Sequence, residues 1–267
     1  MDKKGGLYFV RKIRVAVAGI KGKMGNQVAK TVLSAPDMEL VAGIERVAEQ
    51  DFKVESVTVP VFDSADACFP KTKPHVVVDF THATAAAPTI ETAIAHLVRP
   101  VIGTTGLSPD FLREVGQALE ERSLGGLYAP NFAIGALLMM RAAELAARYL
   151  PYAEIVEYHH DQKRDAPSGT AQKTAERMAK ARKEAGVIPV PLANAAALHN
   201  VLGTPIHSVR LPGFVAHQEV IFGGTGERLT IRHDSMSRES FMPGVLLGVR
   251  QVMNVTGLID GLEHFLF

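Results

Sequence analysis

The chain has 267 residues with 29 Lys+Arg against 28 Asp+Glu, and its 47% hydrophobic and 21% charged residues exclude wholesale disorder and allow one large domain or two modest ones. A net charge of +1 leaves no electrostatic footprint for nucleic acid or an anionic membrane. A single cysteine, Cys68, excludes an internal disulfide or a cysteine-rich zinc site, and the apolar run at 133–140 is far shorter than the ~18 residues of a membrane span. With no signal-like pattern in residues 1–6, the expectation is a cytoplasmic protein.

Residues 13–18 (Ile-Arg-Val-Ala-Val-Ala) predict a buried strand stopped by Gly19. Met24, Val28 and Val32 lie at helical spacing and predict a helix to about Ala35, ended by Pro36; residues 39–44 predict a second strand, completing a βαβ unit. The alternation continues with strand 75–80, an alanine-rich helix 84–97, strand 99–103, and a helix 108–123 opened by Ser108 as N-cap with Pro109 at its first position. A further strand ends at Ala129. Strands alternating with helices predict a doubly wound α/β domain whose parallel sheet is covered on both faces.

The pattern changes after Asn131. Helix 134–148, strand 153–159, a polar turn and a helix of about 168–185 ending at Gly186 are followed by strand-like runs 206–211, 216–223 and 226–233. Consecutive strands predict antiparallel pairing, and so a second domain of α+β class with an open sheet. Residues 241–267 predict a helix apolar on one face, and the domain border falls near Pro130.

Gly19-Ile20-Lys21-Gly22-Lys23-Met24-Gly25 spaces its glycines as GxxGxxG between a strand and a helix. Such glycines let the backbone approach a pyrophosphate at the helix N-terminus, with Lys21 and Lys23 adding charge; the plainer reading is a tight strand-to-helix turn. Glu45, twenty residues beyond Gly25 at the end of the next strand, stands where a carboxylate accepts from an adenosine ribose, and Arg46 could hold a 2′-phosphate. Gly103-Thr104-Thr105-Gly106 reads either as a ligand loop at the carboxyl edge of the sheet or as a cap for the next helix. Ala129-Pro130-Asn131-Phe132 reads as a hinge that is compatible with a ligand contact.

Residues 157–171 read Glu-Tyr-His-His-Asp-Gln-Lys-Arg-Asp-Ala-Pro-Ser-Gly-Thr-Ala. The helix starting near Ser168 or Thr170 offers N–H groups and a positive dipole end to a carboxylate, Lys163 adds charge or a proton, and His159 or His160 adds an acid or polar anchor. Ser168 also reads as a simple helix cap, and Asp161, Lys163, Arg164 and Asp165 as a solvated loop. No metal site is expected, because adjacent histidines on a strand point to opposite faces and further ligands are not evident.

That stretch resembles the signature of the 4-hydroxy-tetrahydrodipicolinate reductase (dihydrodipicolinate reductase) family, roughly E-x-H-H-x-x-K-x-D-x-P-S-G-T-A, and the likeness extends through Val17-Ala18-Gly19, Val78-Asp79-Phe80-Thr81, Gly103–Gly106, Ala129–Phe132 and Ser208-Val209-Arg210. The resemblance implies a Rossmann-like domain of residues 1–130 plus 241–267 that binds NADH or NADPH. Its contacts would be Gly19, Ile20, Lys21, Gly22, Lys23, Met24, Glu45, Gly103, Thr104, Thr105, Ala129, Pro130, Asn131 and Phe132, with Arg46 meeting the extra phosphate of NADPH. It implies an open mixed-sheet domain of residues 131–240 that binds a small dicarboxylate and joins subunits into a homotetramer. There His159 would be proton donor and acceptor and Lys163 proton donor, while His160, Ser168, Gly169 and Thr170 would hold the carboxylates. The implied activity belongs to the diaminopimelate route to lysine. The chain departs from the family's usual pattern at Ala83, in the stretch 45–55 and in the alanine-rich stretch 192–202. Two other readings are an oxidoreductase of the same architecture on another small acid, and a nucleotide sensor without catalysis; the presence of His159 and Lys163 speaks against the second, and Cys68 has no activating partner for semialdehyde chemistry.

Overall fold

A computed structural model describes residues 12–46, 51–190 and 199–267. Residues 1–6, part of the 45–55 stretch and most of the alanine-rich 192–202 stretch therefore lie outside the described residues. The chain divides into two compact units, one running up to Phe132 and taken up again at Phe241–Phe267, the other Ala133–Ser240.

The first unit opens with β1 (Ile13–Ala18), α1 (Lys23–Ser34) and β2 (Met38–Ile44). It continues with β3 (Asp51–Val54), β4 (Val57–Phe62), α2 (Ala65–Thr72), β5 (Val76–Asp79), α3 (Ala83–Ala95), β6 (Arg99–Ile102), α4 (Pro109–Glu121) and β7 (Gly125–Tyr128). The strands lie in the order β7-β6-β5-β1-β2-β4-β3. β1 and β5 are nearly continuous apolar runs, buried along most or all of their length, as central strands covered on both faces require. They are also parallel neighbours, with Val15 opposite Val76 and Ala18 opposite Asp79. The chain moves outward from β1 through β2 and later returns to β5, so their carboxyl ends flank the crevice at which doubly wound sheets take ligands.

The second unit comprises α5 (Ile134–Ala147), β8 (Tyr152–His159), α6 (Gly169–Ala185), β9 (His199–Val201), β10 (Thr204–Arg210), β11 (Ala216–Gly224) and β12 (Glu227–Ser235). Its sheet runs β12-β11-β8-β10-β9. Ala143 and Ala147 of α5 and Ala171, Ala175 and Met178 of α6 pack with Ala153, Ile155, Ile206, Val220 and Phe222 into one core. The expectation that the late strands pair antiparallel in succession holds for β11 and β12 but not for β10, which runs parallel to β8. The reason is the helix between them: β8, α6 and β10 form a crossover unit, which places both strands' carboxyl ends on one edge.

The chain then returns to the first unit as α7 (Met242–Gln251) and β13 (Gly257–Asp260). The reading of 241–267 as one helix is corrected here: β13 adds a parallel edge strand beside β7. α7 has already ended at Gln251, and Gly257, at φ +82°, opens the four residues that extend along that edge. The described residues thus form a Rossmann-like α/β unit, parallel except for the β3–β4 hairpin, and an α+β unit with a mixed sheet. No helix among them is long and apolar enough to cross a membrane.

Gly25 lies where α1 crosses the turn after β1, and a Cβ there would stand 2.0 Å from the Gly19 carbonyl oxygen. Backbone cannot yield as a flexible side chain can, so Gly25→Ala should destabilise the protein by about 1–3 kcal/mol, seen as a lower denaturation midpoint in urea.

Candidate active site

In the first unit the glycine turn and Glu45 come together. Gly19 adopts φ +71° to turn the chain out of β1. α1 then starts behind Gly22 with no side-chain cap and no acidic residue in its first turn, whereas α2 and α4 are capped by Ser64 and Ser108. The uncapped N–H groups and the glycine backbone form a cradle that fits a pyrophosphate. A cavity of about 640 Å³ runs from Gly19 and Gly22 past Glu45 and Arg46 to Thr81 and His82, ample for the adenosine half of a dinucleotide. The Glu45 carboxylate accepts from the backbone N–H of Lys21 at 3.1 Å and from that of Arg46 at 3.3 Å, so it is held against the glycine turn. Arg46 is exposed.

The other residues of the motif divide by burial. Ile20 is fully buried and packs against Gly43, so only its backbone is offered to a ligand; Lys21 has its ammonium 5.9 Å from the ring centre of Phe52; Lys23 is exposed and Met24 half-buried. Gly103, Thr104 and Thr105 follow β6, and Ala129, Pro130, Asn131 and Phe132 follow β7, so both loops stand at carboxyl ends of the same sheet. Gly103 admits the Phe80 ring, whose Cε1 would lie 2.1 Å from a Cβ there, and Phe80 packs against Phe132 with ring centroids 5.3 Å apart. Asp79, part of the likeness at Val78-Asp79-Phe80-Thr81 but given no role there, is buried at the end of β5. Its Oδ1 accepts from the Thr81 N–H at 2.9 Å and from the hydroxyls of Thr81 and Thr104 at 2.7 Å each. The Thr104 hydroxyl is therefore committed to fastening its loop, while Thr105 is exposed.

In the second unit the alternation of β8 turns Ala153, Ile155 and Glu157 inward. His159 continues that row, two residues on, and its Nδ1 is paired with the Glu157 carboxylate. Arg210, opposite His159 across the parallel register, donates from Nη1 to Glu157 Oε2 at 2.9 Å and from Nη2 to Oε1 at 2.7 Å. Glu157 also accepts the N–H of Ser168 at 3.3 Å. Burial alone would raise the Glu157 pKa, but the hydrogen bonds from His159 and Arg210 overturn that and hold it at about 2. An ionised carboxylate only accepts, so His159 carries its proton on Nδ1 and keeps Nε2 for exchange.

Lys163 lies in the loop after β8 with its Nζ 2.7 Å from both oxygens of Asp165, whose pKa is lowered chiefly by that bond. His160 is exposed in the same loop. Ser168 is buried and its hydroxyl accepts from the Ala171 N–H at 3.2 Å, so it caps α6; Gly169 and Thr170 form the first turn of that helix, and a Cβ on Gly169 would meet nothing within 4 Å. His159, Lys163 and the α6 N-terminus thus come from one strand end and the loop that follows it. Sequence reasoning assigned no role to Glu157 or Arg210. A charged residue in the inward file of β8 is the available signal for Glu157; Arg210, 53 residues away, is marked only by the likeness at Ser208-Val209-Arg210, which gives it no role.

The match to known proteins covers both units. The family model "Dihydrodipicolinate reductase, N-terminus" matches residues 13–132, and "Dihydrodipicolinate reductase, C-terminus" matches residues 135–266. The chain is 48% identical over 262 residues to the 4-hydroxy-tetrahydrodipicolinate reductase of Listeria monocytogenes serotype 4b (strain F2365), covering 95% of this chain and 100% of that one. It is 47% identical over 263 residues to the enzyme of the same name from Geobacillus kaustophilus (strain HTA426), covering 95% and 99%. The solved structure of a dipicolinate-bound dihydrodipicolinate reductase from Paenisporosarcina sp. TG-14 is similar with a TM-score of 0.81 at 42% identity, over 95% of this chain and 99% of that one.

The depressed pKa of Glu157 has a consequence for stability. Ionised Glu157 stabilises the fold fully above the ordinary carboxylate value near 4.5, and that contribution is lost as pH falls toward about 2. Urea denaturation at a series of pH values should therefore show a smaller acid-induced loss of stability across this window for Glu157→Gln than for the parent protein.

Proposed function

The chain belongs to the dihydrodipicolinate reductase family, and on that premise we propose that it reduces 4-hydroxy-tetrahydrodipicolinate to tetrahydrodipicolinate with NADH or NADPH, in the diaminopimelate route to lysine. The observation that carries this reading is the second-unit cluster. An imidazole held by a buried carboxylate, a lysine and a helix N-terminus converge from one strand end and its following loop, a donor set suited to a small dicarboxylate. Gly169 and Thr170 at the first turn of α6, with His160, hold the carboxylates; Ser168 serves by capping that turn.

The glycine turn and the loops after β6 and β7 would hold a reduced nicotinamide dinucleotide, which when bound would supply the hydride. On the substrate side, loss of the 4-hydroxyl as water leaves a conjugated imine, and hydride addition at that ring carbon leaves an enamine that takes up a proton. Lys163 fixes the ring through a carboxylate and delivers the proton from Nζ, while His159 stabilises the developing charge through Nε2. In the first unit, Glu45 accepts from the adenosine ribose and Arg46 meets the 2′-phosphate of NADPH. The same reading makes the protein a cytoplasmic homotetramer associating through the sheet face opposite α5 and α6, where Tyr158 and Ile221 lie.

The decisive assay follows nicotinamide absorbance when purified protein meets freshly prepared 4-hydroxy-tetrahydrodipicolinate, with NADH and NADPH in parallel. Turnover inhibited by pyridine-2,6-dicarboxylate is expected; binding of both nucleotides without turnover would overturn the substrate. Lys163→Ala should lower kcat by about 10²-fold or more and leave nucleotide affinity unchanged. Arg46→Ala should raise the KM for NADPH roughly tenfold and that for NADH little, which the two parallel rate curves would report.

A further inference from the structure

Arg210 closes β10, and the parallel register sets it beside His159, with Ala216 of β11 on the other side. Its guanidinium makes four hydrogen bonds. Two are the fork on the Glu157 carboxylate, and two go to backbone carbonyls: Nη1 to Val209 at 2.8 Å and Nη2 to Asp165 at 2.8 Å. Glu157 in turn pairs with Nδ1 of His159, and Asp165 carries the carboxylate that holds Lys163 Nζ. One side chain is therefore a single intermediary away from both groups that would handle protons.

We infer that Arg210 is the positioning residue of this site: through Glu157 it sets the tautomer and direction of the His159 ring, and through the Asp165 carbonyl it sets the loop that carries Lys163. The inference rests on the roles given above to His159 and Lys163. Its physical basis is the acceptor count. Glu157 has no solvent exposure, and an ionised carboxylate in that position persists only when its oxygens are matched by strong donors. With the fork in place Glu157 is an obligate acceptor and receives the hydrogen bond that the Nδ1–H of His159 donates. Without it Glu157 takes up a proton, becomes able to donate, and the opposite tautomer of His159 is satisfied equally well. A lysine at 210 would keep the positive charge but, as a compact point donor, would not reach two carboxylate oxygens and the Asp165 carbonyl in one plane.

The test uses the full-length protein with Arg210→Lys, and Glu157→Gln as a near-isosteric second variant should the first fail to fold. Two quantities are read: kcat and nucleotide KM with 4-hydroxy-tetrahydrodipicolinate, and the protonated ring nitrogen of His159 by NMR of ¹⁵N-histidine-labelled protein. The expected result is a kcat lower by about 10²-fold with nucleotide KM within about twofold, and loss of the Nδ1-bound proton of His159. Retention of that proton, or a kcat like that of the parent, overturns the inference. So does a fall in kcat matched by an equal rise in nucleotide KM, which marks general disturbance. If the parent protein itself turns over no substrate, the reductase reading fails instead, and the NMR arm still decides whether Arg210 sets the His159 tautomer.

Discussion

A carboxylate sealed away from water is a demanding group, and the arrangement around Glu157 in the second unit is the answer to it. Glu157 stands in the inward file of β8 behind Ala153 and Ile155, where an apolar side chain would be the cheaper occupant. Its oxygens are matched by Arg210 from the neighbouring strand, by the N–H at the start of α6 and by the ring of His159. Each donor arrives from a different segment, so strand pairing, helix start and loop must all be correct before the charge is tolerated. Burial of this kind adds little net stability, and its yield is specificity of geometry.

The two units place the same device, a helix start at the sheet's carboxyl edge, with different caps. In each, a strand ends at the carboxyl edge of parallel pairs and a helix begins nearby, so a positive dipole end faces the edge. α1 keeps its first turn open behind Gly22, which suits a phosphate that must approach backbone closely. α6 has Ser168 fill the cap bond to Ala171, which narrows the anchor to the turn's outermost positions and suits a carboxylate. In the first unit Asp79 plays a part akin to that of Glu157, gathering Thr81 and Thr104 so that two loops from adjacent strands share one anchor.

Local pattern carried much of this. The buried runs of β1 and β5, the serine caps, the glycine turn and the residues from His159 to Thr170 were all visible in sequence, because each is fixed by residues within a few positions of one another. What escaped was set at longer range or by short elements. The stretch 51–61 does alternate, with Phe52, Val54, Val57, Val59 and Val61 apolar, but its two strands are short and Pro60 lies inside the second, as Pro70 lies inside α2. The four residues of β13 become a strand only because the edge of β7 is open to them. The placement of β10 beside β8 depends on the α6 crossover, and with it went any sight of Arg210 against Glu157. The glycine loop was legible in chemistry but not in division of labour: Ile20 is core and Thr104 a fastener.

The Lys163–Asp165 pair bears on selectivity in a way its geometry alone does not announce. The ammonium already grips both oxygens of a carboxylate tethered two residues away, and that carboxylate is itself largely solvent-exposed. Asp165 is thus an internal competitor, present at a high effective concentration that dilution cannot lower. A simple monoanion from the surrounding solution would exchange one carboxylate for another and gain almost nothing. On the proposed reading, a ligand with a second anionic group would have the helix turn to add to the exchange, and the tether would act as a threshold against simple monoanions.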